Sequence, residues 1–380
     1  MTSRQDSCWI LSAWGQAKRS SVNHFSMDQL LGEMATQQAS DLLVMAGTMP
    51  QYRVNGVLVP FGTTPLRGED TRALAESLLS KPDRATFEVD RSIDIAYGIE
   101  GVSRYRVNVF YQRNSIAMAI RMIPYDIPEF ETLGLPLIVR DFASRPHGLV
   151  LITGPAGSGK STTLASMIDF INETRHVHVV CIEDPIEYLH THRQSVIAQR
   201  ELRSDAHTFS GALRSVFRQS PDVIMVGEMR DLETMQLALT LAETGHLIMG
   251  TLHTQDTTHA INRIVDVFPP DQQQQVYVQL SMVLVGIISQ QLLMTQDKTR
   301  RVLACEVMNV NNAIRNQIRE MQIQQIYSVI ETGASEGMMT MNDSLSRLFH
   351  EGVITEEKAL RRSPRPKELV RLLNAKPRRK

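Results

Sequence analysis

The sequence predicts an α/β chain of two domains, a small α+β unit followed by a larger unit built on a mainly parallel sheet. Three observations carry this. From about residue 137 onward, short apolar runs at 149–153, 177–182, 223–226 and 247–251 alternate with helical patterns, as in a parallel sheet covered by helices on both faces. The first of these runs leads directly into a glycine-rich turn and then a helix-like segment at 164–171. Pro124, Pro128 and Pro136 fall within 13 residues and mark a linker between the two units.

Residues 1–26 differ in character from the rest of the chain. Trp9 and Trp14, the two tryptophans of the chain, and Cys8 lie there, and Met27 opens a fresh helix-like run. Residues 1–26 are expected to be a non-core leader, with Met27 an alternative start. Their apolar run at 8–14 is short for a signal peptide and lacks a cleavage site. Residues 27–123 form the first domain. Residues 27–38 read as an amphipathic helix, 41–45 as a strand, and 51–59 as a hairpin turning at Asn55-Gly56. A helix at 71–79 and strands at 92–97, 103–111 and 116–122 complete an antiparallel sheet backed by helices. The linker covers 124–136 and the second domain 137–360. Beyond about residue 260 that domain is expected to be mostly helical. Its apolar stretch 276–293 is interrupted by Gln279, Ser281, Gly286, Ser289, Gln290 and Gln291, which reads as a core helix and not a membrane span. Residues 361–380 carry nine Lys/Arg against one acid, Glu368. They are expected to be a solvated basic tail, with contact to an anionic membrane surface or a partner as the alternative.

Bulk properties exclude some classes. A net charge of −1 gives no global bias toward nucleic acid. Cys8, Cys181 and Cys305 share neither metal-ligand spacing nor a disulfide framework, which fits a reducing compartment.

The glycine-rich turn carries the chemistry. Gly154, Pro155, Ala156, Gly157, Ser158, Gly159, Lys160, Ser161 and Thr162 fit the pattern G-x-x-x-x-G-K-S/T, set between a strand and a helix. Its glycines let backbone N–H groups surround phosphate oxygens, aided by the helix N-terminus. Lys160 suits neutralisation of the β- and γ-phosphates, and Ser161 suits ligation of Mg²⁺. Three further motifs sit at strand ends, where an open α/β sheet gathers its ligand groups. Glu183 and Asp184 end the second apolar run, where a carboxylate can orient and deprotonate an attacking water. Glu228 follows the third run after Gly227, a displaced Walker B acid suited to the Mg²⁺ shell. His246 and His253 flank the fourth, and His253 is placed to contact the γ-phosphate. The phosphate loop alone leaves kinases, GTPases, helicases and motor ATPases open. An Asn/Thr-Lys-x-Asp base-reading motif is absent from the sequence, which weakens the GTPase reading.

In combination, EDPIE at 183–187, GEMRDLET at 227–234 and the segment 243–254 resemble the Asp box, Walker B and His box of the secretion ATPase superfamily. Within it, AIRNQIRE at 313–320 resembles the signature helix of the PilT family of type IV pilus retraction ATPases, with Gln317 where that pattern has Leu; 335–341 is also similar. The resemblance runs from about residue 27 to about 373. It implies an N-terminal PAS-like α+β domain followed by a RecA-like P-loop ATPase domain with a helical C-terminal part, assembled as a homohexamer that binds ATP and Mg²⁺. It implies Glu183 as general base, Glu228 as the Mg²⁺-coordinating acid, His253 as the phosphate contact, and arginines presented from the first domain, for which Arg104, Arg106 and Arg113 are the candidates. It also implies pilus retraction and twitching motility, a place at the cytoplasmic face of the inner membrane and an inner-membrane platform protein as partner, with a second retraction ATPase as a further candidate partner that the sequence leaves open. The zinc-binding tetracysteine motif of extension ATPases is missing from the sequence. Aromatics make up 6% of the chain and its basic cluster lies at the tail, so no basic, aromatic-lined channel and no nucleic-acid partner are expected.

Overall fold

The structure, a computed structural model, describes residues 25–54, 56–123 and 127–375. The chain divides into two compact units, Met1–Ile123 and Pro124–Lys380.

The first unit opens with α1 (Met27–Thr36). Ser26 Oγ accepts from the Gln29 N–H at 3.2 Å, and the Gln29 side chain accepts from the Ser26 N–H at 3.0 Å, a reciprocal cap. The chain continues through β1 (Asp41–Val44), β2 (Gln51–Val54), β3 (Val57–Pro60), α2 (Gly68–Leu78), α3 (Lys81–Asp90), β4 (Ser92–Ile99), β5 (Ser103–Gln112) and β6 (Ser115–Ile123). These strands pair antiparallel in the order β3-β2-β1-β6-β5-β4. Gly56, with φ +82°, supplies the left-handed backbone of the β2–β3 turn; Asn55, expected beside it, lies outside the described residues. Tyr52 and Tyr105 are fully buried and donate from their hydroxyls to the Leu30 and Leu31 carbonyls at 2.7 and 2.8 Å, pinning α1 to the sheet. The leader expected over 1–26 ends earlier than residue 26. Phe25 packs its ring 5.2 Å from Phe61, and Ser26 caps α1, so both serve this unit. Residues 1–24 lie outside the described residues.

The second unit contains α4 (Ile138–Ala143), β7 (Gly148–Thr153), α5 (Lys160–Thr174), β8 (His178–Glu183), β9 (Val196–Glu201), α6 (Phe209–Val216), β10 (Val223–Val226), α7 (Leu232–Glu243) and β11 (Leu247–Leu252). It ends with α8 (Thr257–Val265), α9 (Pro270–Val283), β12 (Leu284–Met294), β13 (Arg301–Asn309), α10 (Asn312–Arg319), α11 (Ile326–Thr332), α12 (Met341–His350), α13 (Glu356–Arg362) and α14 (Pro366–Asn374). The sheet order is β13-β12-β7-β11-β10-β8-β9, parallel from β12 to β9, with β13 an antiparallel edge. Both faces are covered. Leu149 and Leu151 of β7 join one apolar cluster, whereas Val150 and Ile152 join another.

Two expectations are corrected here. The stretch 276–293 is helical only to Val283 and then becomes β12, wedged between β7 and β13. The run Leu284–Ser289 carries the β-branched Val285, Ile287 and Ile288 and is largely buried on both faces, and Gly286 abuts the Phe142 ring, leaving no room for a Cβ. The segment from residue 260 is otherwise mostly helical, as expected, with the β12–β13 hairpin set within it. Among the described residues, no helix is long and apolar enough to cross a membrane. The expected solvated tail is also ordered through residue 375. Leu369 and Leu373 of α14 are buried against Leu293, Ala304 and Leu345. Glu368 accepts from the Tyr327 hydroxyl at 2.7 Å and from Asn342 Nδ2 at 3.1 Å, and Arg365 stacks 3.4 Å over the Tyr327 ring. Residues 376–380 lie outside the described residues.

Candidate nucleotide site

Because β7, β8, β10 and β11 run parallel, their carboxyl ends open onto one rim, and a cleft of about 690 Å³ lies there. The loop after β7 turns through Gly154, Gly157 and Gly159, with φ of +144°, +74° and +93°. Side chains are excluded at the first of these, since a Cβ on Gly154 would collide with the Gln290 carbonyl. Lys160 starts α5 and is nearly buried; its ammonium donates to the Gly154 and Pro155 carbonyls at 2.9 and 3.0 Å. Burial pushes its pKa down, while the Glu228 and Glu187 carboxylates push it up. Ser158 Oγ is buried with no hydrogen-bond partner among the described atoms. An anion-accepting cradle with a buried cation and a spare hydroxyl fits a phosphate chain.

Glu183 closes β8 and is 8% exposed. One oxygen accepts from Gln199 Nε2 at 3.0 Å and the other from the Glu187 N–H at 3.4 Å. Burial pushes its pKa up to about 7, against these two hydrogen bonds. That range suits a group that must take a proton near neutral pH.

Glu228 follows β10 after Gly227. A Cβ on Gly227 would stand 3.2 Å from the Ile182 carbonyl, so glycine lets this exit run beside the end of β8. The Glu228 carboxylate pairs with Arg230 Nε and lies 3.1 Å from His253 Nε2. His253 emerges just beyond β11, where the Thr254 N–H donates to Thr153 Oγ1 at 2.9 Å and ties this strand end to that of β7. The loop residues, Glu183, Glu228 and His253 thus share the cleft. Among the described residues no group of three His, Cys, Asp or Glu is arranged to hold a metal ion. The oxygen donors of Ser161 and Glu228 line the same cleft as the phosphate loop, a set suited to a hard cation shared with phosphate oxygens.

Arg104, Arg106 and Arg113 belong to the first unit. Arg104 and Arg106 alternate with buried Ser103, Tyr105 and Val107 on β5 and so share the opposite face of the sheet, where Arg106 Nε pairs with Asp94 at 3.8 Å. Arg113 sits in the β5–β6 turn with φ +47°. Sequence reasoning missed Gln199 and Tyr188. Both depend on β9, whose half-buried and partly polar run gives no strand signal in the sequence.

A glycine cradle holding a buried lysine, with two carboxylates and an imidazole at neighbouring strand ends, is the site of a P-loop ATPase. The chain belongs to the type II/IV secretion system protein family, whose description matches residues 102–368. It is 44% identical to the type IV pilus retraction ATPase PilT of Pseudomonas aeruginosa over 338 residues, 89% of this chain and 98% of that protein. It is 41% identical to the twitching motility protein of Neisseria gonorrhoeae over 365 residues, 95% of this chain and 98% of that protein. The crystal structure of the pilus retraction motor PilT with bound ADP matches with a TM-score of 0.86 at 48% identity, covering 91% of this chain and 99% of that one. The first unit is accordingly the N-terminal α+β domain of this family and the second its RecA-like ATPase domain.

Proposed function

We propose that this chain is a homohexameric motor ATPase that hydrolyses ATP to retract type IV pili and so drives twitching motility. The observation that carries the reading is an assembled phosphate site in a chain similar to PilT along nearly its whole length. The loop 154–162 binds the phosphates, with Lys160 released from its loop carbonyls to meet them. Glu183 takes the proton of the attacking water. Ser161 and Glu228 hold Mg²⁺, which would supply charge neutralisation at the β- and γ-phosphate oxygens. His253 holds Glu228 in place and reaches toward the γ-phosphate. Arg104 and Arg113 are the candidates to stabilise charge on the transferring group.

The helix α10 carries the retraction signature. Its Ile314 and Ile318 are buried, and Arg315 donates to the Met282 carbonyl at 3.1 Å, fixing α10 to the end of α9. Gln317, half-buried on the same helix, alters coupling to the pilus and leaves hydrolysis intact. The ring works at the cytoplasmic face of the inner membrane, on a platform protein and beside a second retraction ATPase.

The test is pilus number and twitching in a deletion strain complemented with wild type or Lys160→Ala. Excess pili and lost motility, restored by wild type alone, support retraction. Loss of pili, or an unchanged surface, overturns it.

A further inference from the structure

Gln199 lies on β9, beside β8, and its side-chain amide makes three hydrogen bonds. Nε2 donates to Glu183 Oε1 at 3.0 Å and to the Tyr188 carbonyl at 2.7 Å, and Oε1 accepts from the His190 N–H at 2.9 Å. This set fixes the amide orientation. Turned over, the amide would point oxygen at a carboxylate and a carbonyl, and two donors would face each other at His190. The segment gripped by Gln199 reaches the phosphate loop, because the Tyr188 hydroxyl and Thr162 Oγ1 share a hydrogen bond of 2.9 Å. Tyr188 thus meets Thr162 through its hydroxyl and Gln199 through its main-chain carbonyl, so the residue itself links the phosphate loop to the amide that holds Glu183.

We propose that Gln199 is a positioning residue for hydrolysis, holding the Glu183 carboxylate in place and tying it to the segment that touches the phosphate loop. This rests on the reading of Glu183 as the base. The electrostatics point the same way. Glu187 of the following loop and Glu201 of β9 face Glu183 as like charges, while Lys160, Glu228 and Arg230 line the shared cleft. Against burial and those two carboxylates, Gln199 is the foremost influence favouring the ionised form, ahead of the Glu187 N–H. Without it, Glu183 holds its proton to higher pH and stands unaligned.

The test is single-turnover ATP hydrolysis by the full-length protein from pH 5.5 to 9.5 in wild type, Gln199→Met, Tyr188→Phe and Glu183→Gln, with a fluorescent nucleotide reporting binding. Gln199→Met keeps length without hydrogen bonds. Its ascending limb is expected to move up by roughly one pH unit, with a rate about tenfold lower at pH 7 that recovers toward pH 9 and with nucleotide affinity unchanged. Tyr188→Phe, which spares the Gln199 contact, is expected to keep the wild-type limb. A lowered rate with an unmoved limb makes Gln199 merely structural and overturns the proposal, as does a wild-type rate. Should Gln199→Met not fold, Gln199→Leu, which likewise removes the hydrogen bonds without adding charge, is read in its place, with the same upward shift expected and the same contrary outcomes. If Glu183→Gln turns over normally, the base assignment itself fails. If Glu183→Gln is inactive while the Gln199 variants match wild type, the Gln199 proposal alone falls.

Discussion

His253 Nε2 lies 3.1 Å from Glu228 Oε1, so the exits of β11 and β10 meet through one imidazole–carboxylate contact. In the His253→Ala protein the ion-pair partner left to Glu228 among the described residues is Arg230, which is exposed. If Glu228 holds Mg²⁺ as proposed, steady-state phosphate release should fall by about 10- to 100-fold, the usual cost of losing a group that orients a metal ligand. Binding of a fluorescent ATP analogue should change little. Normal turnover would reduce the contact to packing.

Lys160 is a nearly buried ammonium held by two loop carbonyls. Lys160→Ala removes the cation and leaves the cradle backbone intact, so the fold should persist by thermal melt. Nucleotide affinity should drop roughly 10- to 100-fold, the range for losing hydrogen bonds to a charged group. Affinity equal to wild type would place the phosphates elsewhere.

For Glu183, burial raises the folded-state pKa from 4.5 to about 7. Between those values the folded protein holds the proton more tightly than the unfolded chain does, so this group's contribution to stability declines as pH rises from 4.5 to 7. Above pH 7 the wild type carries a buried charge that Glu183→Gln removes. The variant should therefore melt higher than wild type at pH 8, by about 1–3 kcal/mol of stability, and nearly alike at pH 5. Its ATP turnover should be nearly abolished with binding retained. Equal melting at both pH values would mean that the site is wetter than its burial indicates.

Arg104 and Arg113 lie on β5 and in the turn after it. If they meet the transferring phosphate, Arg104→Ala and Arg113→Ala should retain nucleotide binding and lose turnover by up to roughly 10³–10⁵-fold, as for other arginine fingers. Rapid-quench measurement of the chemical step separates this from slow product release. A wild-type rate would return them to the solvated surface of the sheet.

Much of the candidate nucleotide site was legible because its residues are local signals. The glycines at 154, 157 and 159 have to adopt left-handed backbone, and Glu183 and Glu228 directly follow apolar runs that form β8 and β10. What escaped was set by tertiary neighbours. Residues 284–294 continue without a break from the helix α9, and the switch to strand reflects pairing with β7 and β13. Gln199 reads as an ordinary polar residue until β9 pairs with β8 and brings it beside Glu183. The C-terminal charge run conceals Leu369 and Leu373, one helical turn apart, whose burial outweighs the basic composition around them.

That burial bears on where a label or a surface tether can be joined. Through Leu369, Leu373 and the Asn342–Glu368 contact, α14 braces the β12–β13 hairpin, and β12 is the immediate neighbour of β7. A fluorophore or immobilising handle attached beyond residue 375 leaves the brace seated. One that replaces residues from 363 onward strips the outer support from the strand bordering the phosphate loop, and a defect measured on such a protein would be a loss of scaffolding.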